Sequence, residues 1–85
     1  MAKSSRKKIY RTIISEQIKE QLMEEIFQHK YKPGERLVES ALAKELKVSQ
    51  SSVREALRSL VAMGFLESEP FKGNTVRSLS RQDLQ

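Results

Sequence analysis

The chain has 85 residues, of which 16 are Lys or Arg, 11 are Asp or Glu, one is His and none is Cys. That length is a single domain, and the missing Cys excludes a disulfide framework, a thiolate metal site and a Cys nucleophile. The lone His29 cannot assemble a His-based zinc site, no apolar run approaches the ~18 residues of a membrane span, and the apolar stretch at 12–14 is too short for a signal-peptide core. A cytoplasmic protein with no membrane segment and no cofactor or metal is therefore expected.

The net charge of +5 is unevenly placed. Residues 1–11 carry Lys3, Arg6, Lys7, Lys8 and Arg11 without an acid, so the rest of the chain is neutral overall. Within that remainder, residues 12–39 sum to −2 and residues 44–81 to +3. A polyanionic partner would therefore meet the second half of the chain together with the N-terminal end.

Residues 1–11 are expected to be a flexible basic arm, either a solubilising end or an electrostatic contact for DNA phosphates. Ile14, Ile18, Leu22 and Ile26 recur every fourth residue and predict an amphipathic helix over 12–29, opened by Thr12 or Ser15. Its other face is acidic, which suits scaffold rather than phosphate. Pro33 and Gly34 end that helix in a turn, and ERLV at 35–38 predicts a short extended segment with Leu37 inward.

Leu42, Ala43 and Leu46 mark a short helix over 39–47, with Glu39 or Ser40 at its start. Lys47, Val48 and Ser49 form a tight turn, with Val48 pointing into the core. Val53, Ala56, Leu57, Leu60 and Val61 then give the clearest helical stripe in the chain, over 50–63. Ser49 is its expected N-cap and Gly64 its left-handed C-terminal cap. Ser52 and Glu55 have the spacing of a capping box. Beyond Gly64 the pattern becomes extended, predicting strands at 66–69 and 75–78 around a loop at 70–74. Residues 80–85 have the look of a helix start, with Ser80 as cap.

Helix, short strand, helix, tight turn, helix and hairpin together predict a mainly α fold with a small β-hairpin, the winged helix-turn-helix. A helix fits the major groove, where every base pair shows a distinct donor and acceptor pattern. On the third helix, Arg54 suits guanine or phosphate and Gln50 suits adenine. Ser49, Ser51 and Ser52 are short donors suited to phosphate. Arg58 lies a turn farther along, and Lys72 and Gly73 could reach the minor groove from the loop. Each of these also fits an ordinary solvated helix face or hairpin turn. Two other classes compete: a winged-helix protein-interaction module whose basic end gives only non-specific nucleic-acid affinity, and a small enzyme. The last lacks a nucleophile motif, a Gly-rich phosphate loop and metal-ligand spacing.

KPGERL at 32–37, LAKELKVSQSSVREALRSL at 42–60 and GFLE at 64–67 resemble the N-terminal DNA-binding domain of the GntR family of bacterial transcription regulators. The resemblance spans about residues 14–79, and the motifs stand in order. VRSLSRQDL at 76–84 is similar to the lead into the helical effector domain of the FadR-like (FCD) branch. The resemblance implies a DNA-binding domain over 12–79, with 80–85 beginning a linker to an effector domain outside this sequence. It also implies homodimers, palindromic double-stranded DNA operators, and a small-molecule effector bound by that other domain. The family's DNA contacts then fall on Ser40, on Ser49, Gln50, Ser51 and Ser52, on Arg54, and on the wing residues Lys72, Gly73 and Asn74. Many members carry Arg where this chain has Gln50, a long polar group where it has Ser40, and Thr-Pro where it has Ser51–Ser52. Operator sequence is therefore not expected to transfer from relatives.

Overall fold

The computed structural model describes residues 2–78, and the side chains of residues 6 and 8–78. Three helices and three short strands follow in the order α1 (Ala2–Phe27), β1 (Arg36–Leu37), α2 (Glu39–Leu46), α3 (Gln50–Ala62), β2 (Leu66–Glu69) and β3 (Gly73–Val76). The expected helix start at 80–85 lies outside the described residues.

Helix α1 is longer than its apolar repeat. Residues 2–11, expected as a flexible arm, form its first turns. Ala, Lys and Arg are strong helix formers, and no Gly or Pro interrupts the chain before Pro33. Once the packed segment is helical, extending it backwards needs no new nucleus. Thr12 and Ser15 are consequently not caps. Their hydroxyls donate back into the helix, Thr12 Oγ1 to Lys8 O (2.9 Å) and Ser15 Oγ to Thr12 O (2.9 Å). At the other end His29 turns left-handed (φ 61°) and the Lys30 amide donates to Glu25 O at 3.0 Å, closing the helix.

The PGERL segment works as a unit. Pro33 and Gly34 (φ 85°) occupy the two central positions of a turn closed by Glu35 N–H to Lys32 O at 2.9 Å. Pro followed by a residue with positive φ is the type II pattern, which glycine fills without strain. The turn then docks on β3: Gly34 N–H donates to Val76 O (2.7 Å) and Val76 N–H to Glu35 O (2.9 Å). Leu37 is buried while Arg36 faces out, the alternation expected of a strand.

The sheet is antiparallel with order β1-β3-β2. Arg36 pairs with Thr75 and Leu37 with Asn74, while Leu66 pairs with Val76 and Glu69 with Gly73. Strand β3 therefore starts at Gly73, two residues before the expected 75. Pairing of Gly73 with Glu69, and of Asn74 with both Ser68 and Leu37, extends it into a segment whose Gly-Asn composition reads as loop.

Helix α3 is the centre of packing. Val53, Ala56, Leu57 and Leu60 are buried on one side of it, against Ile18, Leu22 and Ile26 of α1, Leu42 and Ala43 of α2, and Leu37, Leu66 and Val76 of the sheet. Val48 in the turn is half-buried against this cluster. The helix ends as its sequence predicts. Gly64 adopts φ 88°, and the Phe65 amide donates to Leu60 O at 2.9 Å. Leu60→Ala is expected to destabilise the fold by about 2–5 kcal/mol, measured by urea denaturation. A loss below ~1 kcal/mol would show that α3 is not the packing centre.

Candidate nucleic-acid interface

The start of α3 is held by two hydroxyls. Ser49 Oγ accepts the Ser52 amide at 3.1 Å and lies 2.9 Å from Ser52 Oγ. Ser49 is therefore the cap, as expected. Ser52 is buried beside it, so its hydroxyl belongs to the cap and is not offered to a partner, contrary to the expectation from sequence. The capping box of Ser52 with Glu55 does not form either. Position 52 already lies inside the helix, and Glu55 instead pairs with Arg11 Nε of α1 at 3.1 Å.

Two depressions flank this helix start. On the α1 side, a groove of about 440 Å³ is lined by Tyr10, Arg11, Ile14, Lys47, Ser49 and Ser51 among others. Lys47 holds the turn in a left-handed conformation (φ 57°), its amide donating to Ala43 O. On the wing side, a cleft of about 260 Å³ brings together Ser40 and Glu39 of α2, Gln50 of α3, and Arg36, Gly73 and Asn74 of the sheet. Four residues expected from sequence, Ser40, Gln50, Gly73 and Asn74, thus share one cleft. Gly73 and Asn74 reach it from β3 rather than from a loop. Arg58 is exposed on α3, and Lys72 is exposed at the wing turn with its Nζ 3.8 Å from Glu69 Oε2.

Arg54 is exposed but not free. Its Nε donates to both Glu39 carboxylate oxygens at 3.2 and 3.3 Å, and its Nη2 to Glu39 Oε1 at 3.0 Å. The hydrogen bond to Glu39, then its charge, raise the guanidinium further above its usual pKa. The Nη1 side of the fork makes none of these bonds. Glu39 and Arg54 are fifteen residues apart, so no local spacing announces the pair. Arg36 is also new to the site. Its guanidinium lies across Gly73, with Nε 3.5 Å from where a Cβ would stand. Its outward place beside buried Leu37 was the available signal.

Helix, turn, helix and a three-stranded wing, with polar side chains converging at the start of the third helix, define a winged helix-turn-helix protein. The family model for bacterial regulatory proteins of the gntR family matches residues 14–76. The chain belongs to the GntR family. It is 38% identical over 78 residues to a probable D-xylose utilization operon transcriptional repressor of Paenarthrobacter nicotinovorans, covering 92% of this chain and 34% of that protein. Among solved structures, a GntR-family transcriptional regulator from Pseudomonas syringae pv. tomato superposes with TM-score 0.76 at 35% identity, covering 84% of this chain and 30% of that one. The DNA-binding domain of AraR in complex with operator ORR3 superposes with TM-score 0.68 at 31% identity, covering 74% of this chain and 77% of that one. The chain spans about a third of the length of the D-xylose repressor it resembles.

Ser49→Ala is expected to lower stability by about 1 kcal/mol, because the Ser52 amide and the buried Ser52 hydroxyl both lose their partner. Urea denaturation measures this. An unchanged midpoint would show that the helix start is held by something other than the cap.

Proposed function

We propose that this chain reads double-stranded DNA for a bacterial transcription regulator, with α3 in the major groove and the wing at the minor groove. The observation that carries this is the convergence of Ser40, Gln50, Gly73 and Asn74 on one cleft, with Arg54 beside it. The operator-bound AraR domain among the structural relatives supports the same reading. In it, Gln50 and Arg54 contact base edges, while Ser40, Ser49, Ser51, Arg58 and Lys72 contact phosphates and sugars. Gly73 lets the wing backbone and Arg36 lie close together, and Asn74 faces the cleft. Ser52 acts only through the cap.

We assign the chain no catalytic chemistry and no cofactor. For the longer protein we propose the FadR-like arrangement: residues 80–85 lead into a helical effector domain that dimerises and binds a small metabolite. Two copies of the present domain then read a palindromic operator in the cytoplasm.

Arg54→Ala is expected to weaken binding to the preferred site by about tenfold to a hundredfold, with little change on unrelated DNA. Selection from a random duplex pool at ~150 mM salt, followed by titration of the recovered site, measures this. Equal binding by the variant would remove Arg54 from the base-reading set. Replacing Lys3, Arg6, Lys7, Lys8 and Arg11 by Gln is expected to lower affinity and flatten its dependence on salt while leaving the selected motif unchanged. Loss of all DNA binding in that variant would instead favour the protein-interaction module, with tail-driven affinity only.

A further inference from the structure

The wing turn contains a residue that its backbone does not favour. Glu69, Pro70, Phe71 and Lys72 form a turn closed by Lys72 N–H to Glu69 O at 3.2 Å. Pro70 takes the first central position and Phe71 the second, at φ 66°. The chain contains its own comparison. In the turn at residues 32–35 the same position, after Pro33, is occupied by Gly34 at φ 85°. A bulky side chain in the left-handed region clashes with the following carbonyl, and glycine avoids this. Phe71 therefore costs backbone strain at a place where glycine would be strain-free.

Among the described residues no packing contact offsets that cost. Phe71 is fully exposed, the most exposed of the large apolar side chains among the described residues. It stands at the tip of the hairpin, next to Lys72, whose exposed ammonium lies 3.8 Å from Glu69 Oε2. Behind it, Arg36 lies over Gly73, in the cleft that also holds Gln50 and Ser40. An aromatic ring carried outward beside cations, continuous with the base-reading cleft, fits a partner that is polyanionic outside and offers apolar surface in a narrow slot. The minor groove has that chemistry: phosphates line its rims, while sugar faces and base edges form its walls. Phe is among the side chains that enter it as wedges at deformable base steps.

We propose that Phe71 is a DNA-contacting residue whose ring enters the minor groove flanking the half-site read by α3. This rests on the DNA-reading function proposed above and adds to it an apolar contact from the wing. Flexible pyrimidine–purine steps, such as TA, are the favoured sequence at that flank.

Two variants of the 85-residue chain test the proposal on a duplex carrying the selected site. Phe71→Gly relieves the strained turn and should raise the melting temperature, by roughly 4–8 °C, while weakening binding about fivefold or more and erasing any preference for a TA step at the flank. Phe71→Trp gives the chain its only Trp, and its emission should change on adding the duplex and recover when netropsin fills the minor groove. Phe71→Gly binding as tightly as the unsubstituted chain would overturn the proposal. So would Trp emission indifferent to bound duplex, or emission that changes only with protein concentration, which would point to contact between copies. Arg54→Ala serves as the control for the underlying reading. If the unsubstituted chain selects no site, DNA reading itself fails; if it selects an Arg54-dependent site that Phe71→Gly binds equally well, only the wing contact fails.

Discussion

Everything in this domain is arranged around the buried side of α3. Val53, Ala56, Leu57 and Leu60 meet α1, α2 and the sheet in one cluster, so three separate elements fix one helix. A helix held on its inner side by close-packed side chains cannot roll without opening cavities, each of which costs stability. The outer side therefore presents Gln50, Ser51, Arg54 and Arg58 at fixed angles. That rigidity fixes where these short and medium side chains hold their donors and acceptors, since a drift of about an ångström is enough to lose a hydrogen bond.

The two ends of α3 are defined by different chemistry. Ser49 at the start supplies the oxygen that a free helix terminus lacks, and Gly64 at the end supplies a conformation that other residues resist. The PGERL turn performs a third fixing function. By hydrogen-bonding Gly34 and Glu35 to Val76, it ties the exit of α1 to the wing strand, so the wing cannot move independently of the helices. The wing and the helices are in this way tied together through shared hydrogen bonds and a shared core.

Much of this was legible in the residues themselves. The stripe from Val53 to Val61, the cap at Ser49, the glycine at 64 and the Pro-Gly turn each follow from local rules, and each appears where those rules put it. What was not legible depends on contacts between distant residues. The first turns of α1 show no apolar repeat, and their helicity follows from the lack of any breaker together with the packed segment behind them. Gly73 and Asn74 read as loop but are recruited into the sheet, Gly73 by Glu69 of β2 and Asn74 by Leu37 of β1 and Ser68 of β2. Ser52 looked like a phosphate donor because it is a short hydroxyl close to the helix start, yet the cap draws it inward. The pairs Glu39–Arg54 and Arg11–Glu55 join separate helices and leave no trace in local spacing.

The bond between Glu39 and Arg54 has a consequence for how the guanidinium can be approached. The carboxylate occupies the Nε and Nη2 side of the guanidinium, and Nη1 makes none of these bonds. The carboxylate therefore acts as a resident competitor within the protein. An anion meeting Arg54 from the Nε side would first have to displace this carboxylate, whereas one meeting Nη1 would leave it in place. The pair thus restricts the directions from which the guanidinium can be engaged, and it does so through a residue of α2 fifteen positions away in the chain.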